Sequence, residues 1–262
     1  MSKVKTLLRY PGGKSKATKK LFMYFPPLMQ FNEYREPFLG GGSVAIAVTK
    51  ANPDLKIWVN DLYWPLYNFW IHLQKDPEML SEELKEAKLD NNDEDKARKL
   101  FEVNKEILND PNETPLQKAK AFWIINKCSF SGLTESSSFS KMASNGNFTL
   151  KGIEDLKEYG KIIKDWKITN LSYEELLNDA DDETFIYLDP PYEIGSNLYG
   201  KKGNMHKGFD HDLFAQRCNE CPMEQMISYN ADQFVKDRFP TEKWNHIEFD
   251  LTYSMRSVGD YM

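Results

Sequence analysis

A carboxylate held beside two prolines is the most informative chemical group in the sequence. Asp189, Pro190, Pro191 and Tyr192 follow directly on the apolar run Phe185–Leu188, which has the length and composition of a buried strand. The prolines restrict the backbone, so the carboxylate and a neighbouring carbonyl oxygen keep a fixed relation. Two acceptors directed at one point suit an amino group, and the tyrosine ring offers a flat face to a base. The alternative interpretation is a strand that ends in a rigid turn.

A glycine-rich turn is a second candidate site. The sequence EPFLGGGS at 36–43 links a predicted strand to a predicted helix, and its glycines allow a ligand to approach the backbone. Asp61 ends the next predicted strand about twenty residues further on, where a carboxylate can accept hydrogen bonds from ribose hydroxyls. The pair indicates an adenosine-containing cofactor, while a tight turn without a ligand is the alternative.

A third motif, RYPGGK at 9–14, precedes the first predicted long helix. Its glycines permit close approach, and Lys14 stands at the predicted helix start. The spacing does not match a P-loop. Taken alone, the motif is equally consistent with a solvated basic loop.

Alternating strands and helices must position these motifs. Apolar runs bounded by turn residues predict short buried strands, and helical patterns fall between several of them. The predicted strands are Tyr34–Phe38, Lys56–Asn60, Ile168–Leu171, Thr184–Asp189, Gln225–Tyr229 and His246–Tyr253. The predicted helices are Ser15–Leu28, Ser43–Ala51, Leu213–Cys221 and Ala231–Phe239. The alternation predicts an α/β fold with a mostly parallel sheet covered by helices on both faces.

The middle of the chain differs from both ends, because its pattern is almost entirely helical from Leu62 to Trp166. Residues 129–149 are Ser-rich, and Asn145-Gly146 is a hairpin signal. We therefore predict a discontinuous α/β domain over 1–65 and 165–262. A helical insertion over 66–164 would interrupt it, with a polar hairpin or loop near 129–150.

The composition is that of a globular protein. The 262 residues are 40% hydrophobic and 28% charged, which excludes disorder, collagen and coiled coil for the whole chain. No run of 18 apolar residues predicts a membrane span. Three cysteines form no disulfide framework, and no apolar segment follows the charged N-terminus. We expect a cytoplasmic protein.

The net charge of −6 disfavours a nucleic-acid partner, but the charges are unevenly distributed. Residues 1–20 hold seven basic residues and no acidic one, whereas the acidic excess lies mainly in 76–113. Segregated charge can leave a basic face on an acidic protein. The lysines that we expect to contact phosphate are Lys118, Lys120, Lys127, Lys141, Lys201 and Lys202.

The motifs together resemble a known family. They are YPGGK at 10–14, EPFLGGGS at 36–43, Asn-Asp at 60–61 and DPPY at 189–192, in that order. They are similar to those of the D12 class of N6-adenine DNA methyltransferases, the Dam-type enzymes that include phage members. NKCSFSGL at 126–133 looks like the start of the target-recognition region of this family, and ISYN at 227–230 is similar to a sheet motif of the family.

The resemblance implies a Rossmann-like methyltransferase fold, S-adenosylmethionine as the cofactor and double-stranded DNA as the partner. It implies that an adenine is flipped out of the duplex, because its N6 is hidden inside the stack. Asp189 and the carbonyl of Pro190 would accept hydrogen bonds from N6, with Pro191 fixing the turn and Tyr192 stacking on the base. The residues implied to surround the cofactor are Tyr10, Lys14, Glu36, Phe38, Gly40, Gly42, Ser43, Asp61, Ser172 and Asp189. No metal is required, and a monomer is favoured.

The sequence departs from the family at the residues that read the DNA. Dam proteins that recognise GATC carry an arginine where this chain has Glu135. A carboxylate cannot donate to guanine, but it can accept from cytosine N4, so we do not predict GATC. The expected DNA contacts of this region are Ser129, Ser131, Thr134, Glu135 and Asn145. Family members usually continue into a further strand beyond the position of Met262.

Two further patterns have competing interpretations. Cys218 and Cys221, with His206 and His211 nearby, have the residue types of a zinc site, but the cysteines share a helical face with apolar residues, as core cysteines do. The aromatic run 63–70 can stack bases, but its density favours a core that joins the insertion to the sheet.

Rival functions remain at this point. One is a methyltransferase acting on RNA or on cytosine N4. Another is a catalytically weak or inactive DNA-binding relative. The weakest is a nicotinamide dehydrogenase, in which the DPPY turn would have no role.

Overall fold

The computed structural model describes residues 6–10, 12–91, 93–132, 137–178, 181–192 and 208–248. Thr134, Glu135, Lys201 and Lys202 lie outside these ranges, as does most of the strand predicted over His246–Tyr253.

Five parallel strands form one sheet in the described part of the chain. They are β1 (Glu33–Glu36), β2 (Lys56–Asn60), β3 (Lys167–Thr169), β4 (Thr184–Leu188) and β5 (Glu224–Ile227). Every residue of β4 is buried, as a strand covered on both faces requires. The predicted α/β fold with a parallel, Rossmann-like sheet is confirmed.

The strand order β3-β2-β1-β4-β5 decides where a ligand can bind. The chain passes from β1 to β2 on one side, and β4 lies on the other side of β1. In open parallel sheets the crevice for ligands lies outside the carboxyl ends of the strands at this point of reversal. The carboxyl ends of β1 and β4 carry Glu36 and Asp189, so the order brings their motifs together.

Helices surround the sheet and fill the long connection from β2 to β3. They are α1 (Thr18–Leu21), α2 (Ser43–Ala51), α3 (Trp64–Lys75), α4 (Pro77–Asp90), α5 (Glu94–Asn109), α6 (Pro115–Cys128), α7 (Lys141–Asn147), α8 (Leu150–Ile162), α9 (His211–Glu220) and α10 (Gln233–Arg238). No helix in the described ranges is long and apolar enough to cross a membrane.

The long helix predicted over Ser15–Leu28 is wrong. The chain forms a 3-10 turn at Lys14–Lys16, the four-residue α1 and a further 3-10 turn at Leu28–Gln30. Pro26 and Pro27 oppose a continuous helix, because each lacks a backbone donor and each restrains the residue before it.

The insertion shares its core with the sheet. One apolar cluster joins β1 and β4 to the buried faces of helices α3, α6 and α8. Trp70 of α3 packs against Trp166 at 6.0 Å between ring centroids, and Trp166 Nε1 donates to Thr49 Oγ1 of α2 at 2.8 Å. Leu66, Phe69 and Trp70 of the aromatic run are fully buried, in agreement with the core interpretation.

The hairpin predicted from Asn145-Gly146 is wrong, because both residues lie in α7. The Ser140 side chain accepts from Ala143 N and caps this helix, which overrides the local turn preference. An antiparallel reversal is present earlier, where Ser129 forms an isolated bridge with Phe139.

Candidate active site

One cavity of about 270 Å³ brings the three sequence motifs together at the carboxyl edge of the sheet. It lies at the strand reversal expected for a ligand site. The sequence-predicted residues that line it are Tyr10, Lys14, Glu36, Phe38, Gly40, Ser43, Asp61, Ser172, Asp189, Pro190, Pro191 and Tyr192.

Asp189 follows β4 and is paired with Lys14. The lysine Nζ lies 2.6 and 2.5 Å from the two carboxylate oxygens and donates also to Gly12 O at 3.1 Å. Lys14 is only 3% exposed. Burial raises the pKa of the Asp189 carboxyl, and the Lys14 ammonium opposes this shift. Sequence reasoning did not find this ion pair, because it joins residues 175 positions apart.

Tyr192 lies against the same carboxylate. Its hydroxyl is 3.3 Å from Asp189 Oδ1 and 3.3 Å from Ser228 Oγ. Lys14 Nζ lies 5.1 Å from the centre of its ring, within the range of a cation–π contact. The DPPY turn therefore presents a carboxylate and an aromatic face to one cavity.

Glu36 ends β1 and is buried beneath the glycine turn. Tyr34 donates a hydrogen bond of 2.6 Å to Glu36 Oε2, and the backbone of Ala45 donates to the same side chain. Burial, together with the nearby Asp189 charge, raises the pKa of Glu36 to about 8 despite these hydrogen bonds. Burial thus favours the protonated form of Glu36.

Asp61 follows β2 and ties this strand to the glycine turn. Its Oδ2 accepts from Gly40 N at 2.9 Å, and its Oδ1 accepts from Tyr63 N at 3.0 Å. Burial raises the pKa of Asp61 to about 6, and the two backbone donors oppose the shift. Each oxygen keeps further acceptor capacity for a ligand hydroxyl.

Gly42 is the turn residue with the strictest steric requirement. It has a φ of +67°, and a Cβ there would lie 2.8 Å from the Trp70 ring. A side chain is thus excluded both by the backbone conformation and by the indole. The turn also depends on the insertion, because Trp70 Nε1 donates to Gly40 O at 3.2 Å.

An aromatic wall closes the cavity beside the turn. Phe38 stacks on Tyr173 with ring centroids 5.5 Å apart, and Phe209 lies 5.8 Å from Phe38. Within the described residues the Tyr173 hydroxyl is buried without a hydrogen-bond partner. Ser172 uses its Oγ to cap the 3-10 helix at Tyr173–Leu176. The wall is suited to a planar heterocycle.

Comparisons with known proteins agree with this site. The family model of the D12 class N6 adenine-specific DNA methyltransferases matches residues 10–255. The chain belongs to this family. It is therefore a DNA methyltransferase that modifies adenine at N6.

Three curated relatives are Type II methyltransferases. M.MjaIII of Methanocaldococcus jannaschii is 25% identical over 258 residues, covering 89% of this chain and 87% of that protein. M1.LlaDCHI of Lactococcus lactis subsp. cremoris is 24% identical, covering 78% and 71%. M.CviBI of Paramecium bursaria Chlorella virus NC1A is 22% identical, covering 98% and 95%. The similarity thus extends over most of each protein.

Two predicted DNA contacts of this methyltransferase are wrong. Lys127 is buried, donates to Leu7 O and lies over the Trp123 ring at 4.2 Å. Ser129 is fully buried and donates to Asn126 O. Lys127 thus links the insertion to the N-terminal segment, and Ser129 bonds to the last turn of α6. Both side chains are buried, so neither reaches a phosphate on the surface.

Two lysines predicted to contact DNA are paired with carboxylates of the insertion. Lys120 pairs with Glu83 at 2.9 Å, and Lys141 pairs with Glu94 at 2.5 Å. The acidic stretch 76–113 therefore binds two of the lysines predicted to contact phosphate, which weakens the charge segregation inferred from the sequence. Lys118 lies 5.7 Å from the Trp64 ring, and Asn145 is exposed on α7. Ser131 lies in the 3-10 helix at Phe130–Gly132.

The two cysteines of the zinc pattern lie in the core of the methyltransferase, and His206 lies outside the described residues. Cys218 and Cys221 are buried in an apolar cluster with Phe214 and Phe239. Burial raises the pKa of the Cys218 thiol well above its usual range, whereas zinc binds the thiolate. No group of residues able to hold a metal is present in the described part of the chain.

Proposed function

We propose that this protein transfers the methyl group of S-adenosylmethionine to N6 of an adenine flipped out of duplex DNA at a specific sequence. The observation that carries the proposal is the shared cavity, in which the Asp189 turn faces the glycine turn after β1. A reacting amine and a methyl donor must meet within one water-excluded site. Site specificity is supported by the Type II methyltransferases among the relatives.

The cavity fits a cationic adenosine derivative. Among the described residues that line it, Glu36, Asp61, Asp189 and Asp210 are acidic and Lys14 is basic. A bound sulfonium and ammonium group would favour the ionised form of Glu36, against the effect of burial. Asp61 would bind the ribose hydroxyls, and Phe38 with Tyr173 would pack on the cofactor adenine.

The other half of the cavity would hold the target base. The N6 lone pair of adenine is delocalised into the ring, so the amine is a poor nucleophile. Asp189 and the Pro190 carbonyl would each accept a hydrogen bond from N6 and favour a pyramidal nitrogen, whose lone pair is then available. The Asp189 carboxylate would take up the proton that N6 releases on methylation. S-adenosylmethionine, when bound, supplies an electrophilic methyl group on sulfur. Tyr192 would stack on the flipped base, as base-flipping enzymes do.

Lys14 would keep Asp189 ready for the base. Its ammonium contacts both carboxylate oxygens, and each oxygen keeps acceptor capacity for an N6 hydrogen. The ammonium opposes protonation of the buried carboxyl. The same cation would keep Asp189 an acceptor when the amine arrives.

The direct test is the product. The protein is incubated with tritiated-methyl S-adenosylmethionine and unmethylated genomic duplex DNA. The DNA is then digested and analysed by mass spectrometry. The proposal predicts N6-methyladenine. N4-methylcytosine, methylation of RNA alone, or binding without turnover would overturn it, and each corresponds to one of the rival functions.

A further inference from the structure

The ring of Tyr192 is supported by two residues that have no role in the mechanism above. Tyr229, which follows β5, stacks on it with ring centroids 5.9 Å apart and an angle of 19° between the planes. The Tyr229 hydroxyl is hydrogen-bonded to His211 Nδ1. The imidazole and phenol rings lie 5.9 Å apart. The three side chains form a continuous row.

The row ends at the cavity. Tyr192 lines the cavity, whereas Tyr229 and His211 are not among its lining residues. Lys14 lies over the Tyr192 ring and also lines the cavity. Tyr229 therefore contacts the Tyr192 ring without lining the space in which a base would lie.

His211 is itself held in place. It is the first residue of α9, whose N-terminus is capped by Asp210 through a bond of 2.9 Å from Leu213 N. The ring of Phe209 meets the imidazole edge-on with centroids 5.0 Å apart. Helix cap and aromatic contact together give the imidazole one orientation.

We propose that His211 and Tyr229 are positioning residues, which hold Tyr192 in the orientation that stacks on the flipped adenine. The inference rests on the proposed function, because it assigns Tyr192 to the target base. A tyrosine ring free to rotate about two side-chain torsions would lose entropy on each binding event. A ring fixed in advance avoids this loss, so the support acts on base capture without touching the base.

Four variants test the row. His211→Ala removes the imidazole, and His211→Asn keeps a hydrogen-bonding group near the position of Nδ1. Tyr229→Phe keeps the ring without its hydroxyl. Gln216→Ala is the matched control, since Gln216 lies on the exposed side of the same helix and contacts Glu220. Unfolding midpoints of all variants are measured alongside.

Two DNA duplexes distinguish a defect in the positioning of Tyr192 from a general structural defect. One carries the target adenine in the recognition sequence, identified beforehand by sequencing methylated bases in an expressing host. The other carries an abasic site at that position. Only the first offers a base to Tyr192, so a positioning defect must be specific to it.

We expect His211→Ala and Tyr229→Phe to lower the single-turnover methylation rate about tenfold, a factor within the range of a base–aromatic stack. Both should weaken binding of the adenine duplex and leave binding of the abasic duplex unchanged. His211→Asn should recover most of the rate, and Gln216→Ala should equal the wild type. Wild-type rates in His211→Ala, or equal losses on both duplexes, would overturn the inference.

The result also distinguishes this inference from the proposed function. If Tyr192→Ala methylates adenine normally, the assignment of Tyr192 to the base has failed. If Tyr192→Ala is impaired while His211→Ala is not, only the supporting role is wrong.

Discussion

Asp61 provides a pH test of cofactor binding at the residue scale. Its pKa is raised to about 6 by burial, so the carboxylate is lost as the pH falls through this value. We expect the affinity for S-adenosylmethionine to fall from about pH 7 to about pH 5, because a protonated carboxyl accepts ribose hydroxyls poorly. Calorimetric titration across this range measures the change. Asp61→Asn should bind weakly with no inflection near pH 6, and an unchanged inflection would contradict the assignment.

A second prediction concerns Lys14 and the loss of activity on the acidic side of the pH–rate profile. Its ammonium opposes the pKa increase that burial imposes on Asp189. Lys14→Met should therefore raise the pKa of Asp189 further, and activity should be lost at a higher pH than in the wild type. Single-turnover rates against pH, with saturating cofactor, show the shift. Lys14→Arg retains the positive charge, so the pH at which activity is lost should shift less than in Lys14→Met. No shift of this pH in Lys14→Met would contradict the prediction.

At the scale of elements, the conformation of the glycine turn depends most on Gly42. Gly42→Ala places a Cβ 2.8 Å from the Trp70 ring at a φ of +67°. We expect it to lower the free energy of unfolding by about 1–3 kcal/mol, as strained backbone positions do. Urea denaturation measures this value.

Gly146 offers a matched control for that substitution. It lies in α7, and a Cβ there meets no atom within 4 Å. Gly146→Ala should be neutral or stabilising by up to about 1 kcal/mol, since alanine favours helix. Equal destabilisation by both substitutions would show that steric fit at the turn is not the cause.

The elements also show what the sequence could predict. Apolar runs bounded by turn residues identified the five strands of the described ranges. The signal is clearest for β4, in which every residue is buried. Local sequence signals gave wrong predictions at two places, because neighbouring residues restrained the backbone more strongly. Pro26-Pro27 prevented the long first helix, and the Ser140 cap placed Asn145-Gly146 inside α7.

The candidate site was predictable in part for the same reason. The motifs at the carboxyl ends of β1, β2 and β4 meet because parallel strands end at one edge. The partners of these motifs were not predictable, since they depend on contacts between distant segments. Lys14 with Asp189 and Lys127 with Leu7 O are such contacts; in the second, the basic residue turns inward instead of towards DNA.

At the scale of the whole molecule, the charge of the insertion predicts how DNA binding responds to substitution. Lys118 and Lys120 both lie on α6. Lys120 is paired with Glu83, whereas Lys118 lies 5.7 Å from the ring of Trp64. We expect Lys118→Ala to weaken DNA binding and to reduce the slope of log Kd against log salt by about 1, the value for one phosphate contact. Lys120→Ala is the control and should change the slope less. A Kd independent of salt would contradict electrostatic contact by this face.

The central claim is that Asp189 acts on the target amine and is not required for the cofactor to bind. Asp189→Ala is therefore assayed for methyl transfer to duplex DNA from tritiated-methyl S-adenosylmethionine, with cofactor affinity measured on the same sample by calorimetry. The account predicts that transfer is abolished while cofactor binding is retained. Transfer at the wild-type rate would contradict it.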